Sequence, residues 1–388
     1  MGRWWLAVLV AAGISLCPSV ARAQHDHAAH AAEGRWTWAT QAQAFLNLNL
    51  QTRKFRDFTQ LESQNWLMVS AARTAGRARW TLHAMASAEP WTLRRLGSAQ
   101  VFQTGETLDG ASLRDYQHPH DLLMGFEARL EWVASPKTTL FVSVGPVGAP
   151  ALGPAAFMHR ASSGPSPTAP LAHHMLDSTH ISHGVITAGV TRSAWTVEAS
   201  VFRGREPDED RVRVDMGPLD SVSARVGWRR GAWHAQLSSA HMTEPEAAEP
   251  GDAVRTTASI GYERGGPGGR TAWLAAWGRN DRDDHAETGW LLEGQRDVTT
   301  RDTFYSRAEL VDRFILVDFD YAARFGLERH LRSRIAAWTL GYERRLHSTQ
   351  RTDVALGADV TLHRTPANLR DAYGHPVSWH LFARLALR

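Results

Sequence analysis

Thiols are almost absent from this sequence: Cys17 is the single cysteine among 388 residues. It lies inside an apolar leader, so loss of that leader would leave a chain with no disulfide and no thiolate metal site. Lysine is nearly missing as well. Lys54 and Lys137 are the only two, and the formal net charge of +3 rests on arginine. Those arginines are scattered among acids and form no basic patch, which argues against nucleic acid as a partner. After Leu16 there is no apolar run near the roughly 18–20 residues that a membrane-crossing helix needs. Hydrophobic residues make up 43% and charged residues 21%, which excludes both a disordered chain and a helical membrane protein. If the chain enters a membrane, it must do so as strands.

What is present begins with Met1-Gly2-Arg3, an apolar run from Trp4 to Leu16, and Ala21-Arg22-Ala23. A short apolar core followed by a small-x-small site predicts a cleaved signal peptide over 1–23, with Gln24 as the mature N-terminus. Leu16 stands before Cys17 where lipoprotein signals carry a small residue, so lipidation is not expected. Residues 24–34 form an Ala-rich tail holding His25, Asp26, His27 and His30. The sequence predicts this tail to be a flexible periplasmic segment ahead of one β domain over 35–388.

Strands declare themselves by alternation, because successive side chains point to opposite faces. From Trp36 to Leu50 the even positions are nearly all apolar, whereas Gln41, Gln43, Asn47, Asn49 and Gln51 occupy the odd ones. The pattern returns at Ala78–Ala86, Leu122–Trp132, Trp195–Val201, Val222–Trp228, Val354–Leu362 and Val377–Leu387. Along the whole chain it predicts about sixteen antiparallel strands, with fourteen as the alternative. They fall near 36–51, 62–72, 77–89, 122–133, 138–146, 183–190, 194–203, 219–228, 233–242, 254–263, 270–279, 288–295, 303–311, 334–344, 352–362 and 377–387.

Connections sort by parity. Short turns such as Ser135-Pro136-Lys137, Thr191-Arg192-Ser193 and Arg229-Arg230-Gly231 follow the even strands, and the long stretches 90–121, 147–182, 204–218 and 312–333 follow odd ones. Trp36, Trp80, Trp132, Trp195, Trp228, Trp233, Tyr262 and Trp273 fall on the apolar face near the short-turn ends, as a ring at lipid headgroup level would. In leader, alternation, loop parity and aromatic ring, the chain resembles bacterial outer-membrane porin-like barrels over essentially its whole mature length. The stretch Gly153–Arg160, with His173-His174 and Asp177–His183, resembles the signature of a His-rich-loop group of barrels to which no activity attaches. The resemblance implies an all-β transmembrane antiparallel barrel in the outer membrane of a Gram-negative bacterium, with both termini periplasmic. It further implies contact with outer-membrane lipid and the barrel-assembly machinery, and assembly as a homo-oligomer, since trimers are common among such porins. The final strand ends in Leu387-Arg388 rather than on an aromatic residue, a departure from the usual assembly signal.

Candidate chemistry concentrates in the two longest loops, which hold His118, His120, His159, His173, His174 and His180 and run into His183. Imidazoles suit zinc or copper, and the neighbouring Met158 and Met175 add thioethers. These seven histidines, together with His25, His27 and His30 of the tail, are the metal-ligand candidates. Their spacing matches no fixed metal motif, and hydrogen bonding of a plug loop to the barrel wall is the competing reading. Alternation places Arg77, Arg79, Glu127, Arg129, Glu131, Glu198, Arg225, Arg255 and Glu309 on the inner face as pore-lining residues. Three functions follow: a channel for small solutes or metal ions, a plugged structural or metal-binding barrel without transport, and a hydrolase built on Asp177-Ser178-Thr179-His180. The last is the weakest, because triad members seldom lie so close in sequence and no Gly-x-Ser-x-Gly elbow is present; an enzyme is not expected.

Overall fold

The computed structural model describes residues 33–54, 56–266, 269–314, 316 and 332–387. The leader 1–23, the tail histidines His25, His27 and His30, and most of the long loop 312–333 lie outside the described residues.

Most of the described residues lie in antiparallel strands. The chain opens with β1 (Thr37–Arg53), β2 (Arg56–Glu62), β3 (Asn65–Ala75) and β4 (Ala78–Ala86). A hairpin follows, β5 (Ser98–Leu108) and β6 (Ala111–Gln117). Then come β7 (Leu123–Ser135), β8 (Thr138–Gly148), β9 (Ser182–Arg192), β10 (Trp195–Phe202), β11 (Ser221–Arg230) and β12 (Trp233–Met242). The remainder is β13 (Ala253–Arg264), β14 (Thr271–Asp281), β15 (Ala286–Asp297), β16 (Asp302–Arg313), β17 (Ser333–Ser348), β18 (Thr352–Arg364) and β19 (Val377–Leu387).

All but the β5–β6 hairpin join one seventeen-strand sheet that closes on itself where β1 meets β19, from Ala42↔Leu387 to Thr52↔Val377. β2 and β3 both pair with β1 and are halves of one stave, so the barrel has sixteen staves. Closure leaves no free sheet edge, the condition for strands to cross a bilayer. The sequence-based strand bounds agree with these elements within a few residues. Two stretches differ. The connection read at 52–61 holds β2, and the loop 90–121 contains the hairpin. β5 and β6 pair irregularly, with shifts between Ala99 and Thr104 and again before Thr107, and Phe102 and Asp115 take positive φ. Such a hairpin carries no clean alternation to read.

The two faces separate as the alternation requires. Asn47, Asn49 and Gln51 of β1 point inward and are buried, whereas Leu46 is 55% exposed on the outside. The outer face carries Val197, Leu237, Ile260, Leu292, Leu340 and Leu381, all exposed. Register places Trp195 opposite Trp228, and Trp233, Tyr262 and Trp273 side by side across three strands. The Trp233 ring centroid lies 5.2 Å from that of Tyr262 and 5.3 Å from that of Trp273. An apolar belt with an aromatic rim is a surface solvated by lipid. Leu237→Arg, at the middle of β12, is therefore expected to destabilise the barrel by about 2–4 kcal/mol. Urea-titrated folding into lipid vesicles measures this, and an unchanged midpoint would place that face in contact with something other than hydrocarbon.

Candidate functional site

The segment 149–181 between β8 and β9 folds into the barrel and crosses to the opposite wall. Pro150, Pro154, Pro165, Pro167 and Pro170 bar it from a regular ladder, so its backbone groups need other partners once buried. Inward side chains supply them. Ala151 N donates to Ser200 Oγ (2.7 Å) and Gly153 N to Ser238 Oγ (2.9 Å). Arg225 Nη1 donates to Gly153 O (2.8 Å), and Ala172 N donates to Glu309 Oε1 (3.0 Å). Asn280 Nδ2 donates to His174 O (3.2 Å), and Arg313 donates to Leu171 O. The loop is therefore a plug fastened to β10 through β16.

Two features hold its far end. A helical turn, His173–Leu176, docks on β14 and β15 where Gly278 and Gly289 face each other in register. A Cβ on Gly278 would lie 2.0 Å from Met175 O, so only glycine admits the turn. Around it Leu171, Ala172, Met175 and Leu176 pack with Val101 and Phe102 of the hairpin and with inward Leu274, Leu291, Val311 and Ile335. The second feature is a buried ion cluster. Arg160 Nη1 lies 2.5 Å from Asp177 Oδ2, and Arg160 Nε lies 2.7 Å from Glu293 Oε1 on β15. Burial opposes charge on Asp177, but Arg160 and His173 outweigh it and hold the carboxyl well below the usual range.

The seven loop histidines are brought to the barrel interior, in distinct groups. His120 Nδ1 is 2.9 Å from Glu89 Oε2. Burial works against its charge, yet Glu89 prevails and its pKa is raised. His173 Nδ1 is 2.8 Å from Asp177 Oδ1, and burial takes its pKa down to about 4. His180 sits beside both rings, at centroid distances of 5.5 Å from His120 and 5.3 Å from His173. Its pKa falls well below the ordinary value through burial and these two neighbours. His118 Nε2 meets Glu106 Oε1 at 2.8 Å. His183 Nδ1 accepts from Asp215 N (2.9 Å), and His159 packs against Trp66 at 4.9 Å between ring centroids. His174 turns the other way, its Nδ1 3.5 Å from Glu246 Oε1 and 3.8 Å from Glu206 Oε1. Among the described residues this last trio alone gathers ligand atoms within 4.8 Å of one another.

The plug leaves space against one wall. A cavity of about 220 Å³ is lined by Arg79, Glu127, Arg129, Glu131, Glu198 and Arg225 from the barrel and by Pro154, His159 and His180 from the loop. Of the expected lining residues, Arg255 and Glu309 do face inward but are covered by the plug. Arg255 Nη1 donates to Ser178 Oγ (2.9 Å), and Glu309 holds Ala172. Arg77 lies exposed in the turn between β3 and β4 rather than on the lumen wall. Ser178 and Asp177, candidates for a hydrolytic group, are engaged by Arg255 and by Arg160 with His173. A wider inner vestibule of about 460 Å³ opens at the short-turn end, and an outer one of about 700 Å³ at the long-loop end. Arg160, Glu293, Arg313 and the Gly278–Gly289 pair were not singled out by the sequence reading. The signal that could have found the docking wall is the run Ala272–Trp277, apolar on both faces, which implies burial on both.

No protein-family model matches the chain, and no curated protein matches it in sequence. Among solved structures it is similar to an anion-selective porin from Comamonas acidovorans, with 11% identity, a TM-score of 0.54, 91% of this chain and 100% of that one covered. OprB of Pseudomonas putida gives 9% identity and 0.54 over 91% and 94%. OmpT of Vibrio cholerae, an outer-membrane protein in a trimer form, gives 10% and 0.51 over 90% and 99%. The chain has the sixteen-strand fold of bacterial outer-membrane porins.

Proposed function

We propose that this protein is an outer-membrane channel through which small hydrophilic solutes diffuse, with the inward segment 149–181 setting the aperture. One observation supports this reading above the others. The plug is pinned to β10–β16, while a cavity lined by both signs of charge persists against β4, β7 and β8. Charges facing each other across a narrow lumen polarise the water between them and favour polar over apolar passengers. A wholly structural plug would have no use for Arg79, Glu127 and Arg129 beside open space. In this reading the short turns and the ends Thr37 and Leu387 face the periplasm, and a cleaved leader exports the chain to the Gram-negative outer membrane.

The test is conductance in planar lipid bilayers. The intact protein is expected to give small ohmic steps, and deletion of 155–176 to raise the unit conductance several-fold. If both forms left the bilayer silent, the channel reading would fail, and a closed structural barrel would replace it.

A further inference from the structure

We infer that His174, Glu206 and Glu246 form a binding site for a divalent first-row transition ion of the zinc type at the floor of the outer vestibule. The site goes beyond the channel reading and does not depend on it. Its three ligands come from three separate segments: the plug turn, the β10–β11 connection and the β12–β13 connection, the last two joined by Glu206 N donating to Pro245 O (3.0 Å).

Geometry speaks first. A tetrahedral ion with bonds of about 2.0–2.1 Å separates its ligand atoms by roughly 3.3 Å. His174 Nδ1 stands 3.5 Å from Glu246 Oε1 and 3.8 Å from Glu206 Oε1, a few tenths beyond that spacing. Three protein ligands would leave one position for water, as in open zinc sites. An imidazole beside two carboxylates suits zinc, and the absence of sulfur from the trio disfavours Cu(I). Calcium and magnesium take oxygen ligands and have no use for the ring.

The second observation is buried polar atoms that make no hydrogen bond. His174 and Glu246 are each 3% exposed, yet His174 Nδ1 and Glu246 Oε1 have no hydrogen bond. Buried polar atoms are nearly always paired, and these two point at each other. Two guanidinium groups pair with Glu246 as ions, but neither makes a hydrogen bond to Oε1. Arg255 Nη2 is 3.9 Å from Glu246 Oε1, and Arg282 Nη2 is 3.4 Å from the other oxygen, Oε2.

The ring is also fixed in place. Gly105 of β5, at φ +143, lays its backbone over the imidazole, and a Cβ there would come within 2.4 Å of His174 Cε1. With the ring locked, Nδ1 keeps its aim at the carboxylates. Access lies through the outer vestibule, where the carboxylates Asp208, Glu209, Asp210 and Glu244 outnumber the cations Arg203 and Arg205. Such an acidic mouth concentrates cations.

The experiment is Zn²⁺ titration of the full chain in detergent by calorimetry, with its unfolding temperature followed in parallel. A His25→Ala, His27→Ala, His30→Ala background silences the tail. In that background one Zn²⁺ is expected to bind and to raise the unfolding temperature. His174→Ala and Glu246→Gln should each weaken affinity by about 100-fold or more, since even the outer partners of metal ligands cost about 10–100-fold. Glu206→Gln changes no volume and serves if either variant folds poorly. His347→Ala, an exposed ring on β17 outside the site, should leave the affinity unchanged. Absence of Zn²⁺ binding, equal binding by the His174→Ala and Glu206→Gln variants, or Ca²⁺ binding as tight as Zn²⁺ would each overturn the assignment.

Discussion

Arg160→Met is expected to loosen the plug and widen the channel without breaking the barrel. Among the described residues Arg160 is the only cation placed between Asp177 and Glu293 at hydrogen-bonding distance, and its side chain is 4% exposed. Removing one member of a buried ion cluster leaves uncompensated charge, which costs about 3–5 kcal/mol. Here the loss falls on a single loop, because Arg160 and Asp177 both belong to it and only Glu293 belongs to the wall. A control separates this from generic charge loss. Arg79 and Glu131 are 3.8 Å apart and partly solvated, so Arg79→Met should cost under about 1 kcal/mol.

Acid sharpens the same test. Asp177 is held below its ordinary range in the folded protein, so its contribution is fully present above the unfolded value of about 3.9. It is lost only as pH falls through the lower folded value. Without Arg160, burial is opposed only by the weaker influence of His173 and His180, the folded pKa rises, and docking fails at a higher pH than in the wild type. Single-channel conductance against pH, with limited proteolysis of the loop, reads both effects. Wild-type conductance and wild-type acid tolerance in Arg160→Met would remove the cluster from the account of the plug.

Alternation made the barrel legible because lipid imposes a strict rule on one face of every stave. Leu46, Leu48 and Leu50 cannot trade places with Asn47, Asn49 and Gln51 without placing amides in hydrocarbon, so register follows from the sequence. The interior obeys a weaker rule. There Leu274 and Leu291 are as well placed as Glu293 and Arg307, because the plug covers the first pair and ion partners meet the second. Concentration of histidine in two loops was visible, and both loops do turn inward. Their grouping was not visible. The partners of His174 sit on other loops, those of His118 and His183 on the hairpin and on Asp121 and Asp215, and no spacing rule links them. Arg77 illustrates the opposite error: its parity is that of Arg79, but β4 begins only at Ala78 and Arg77 lies in the turn before it.

Gly278→Leu tests the plug from the wall side, and its sign is informative. In an ordinary strand, glycine is a weak residue, and a branched or larger side chain improves packing. If nothing docked on β14, Leu at 278 should therefore be neutral or stabilising. With the plug in place the outcome reverses. The new Cβ would stand 2.0 Å from Met175 O and 2.8 Å from its carbonyl carbon, and both are backbone atoms that cannot rotate aside. The turn must lift, and Leu171, Met175 and Leu176, all 2% exposed or less, lose their cover. Each such side chain is worth about 1.5–3 kcal/mol when fully buried, an upper figure because a displaced loop re-buries some of it. Even half that sum exceeds what any single hydrogen bond of the loop contributes, at about 0.5–1.5 kcal/mol. The expected result is a barrel that still folds, a loop open to protease, and a conductance approaching that of the 155–176 deletion. Gly227→Ala is the matched control, since its Cβ would meet Thr196 at an ordinary 3.9 Å. A Gly278→Leu protein with an intact, protease-resistant loop would mean that the turn at 173–176 does not rest on β14, and the aperture would need another floor.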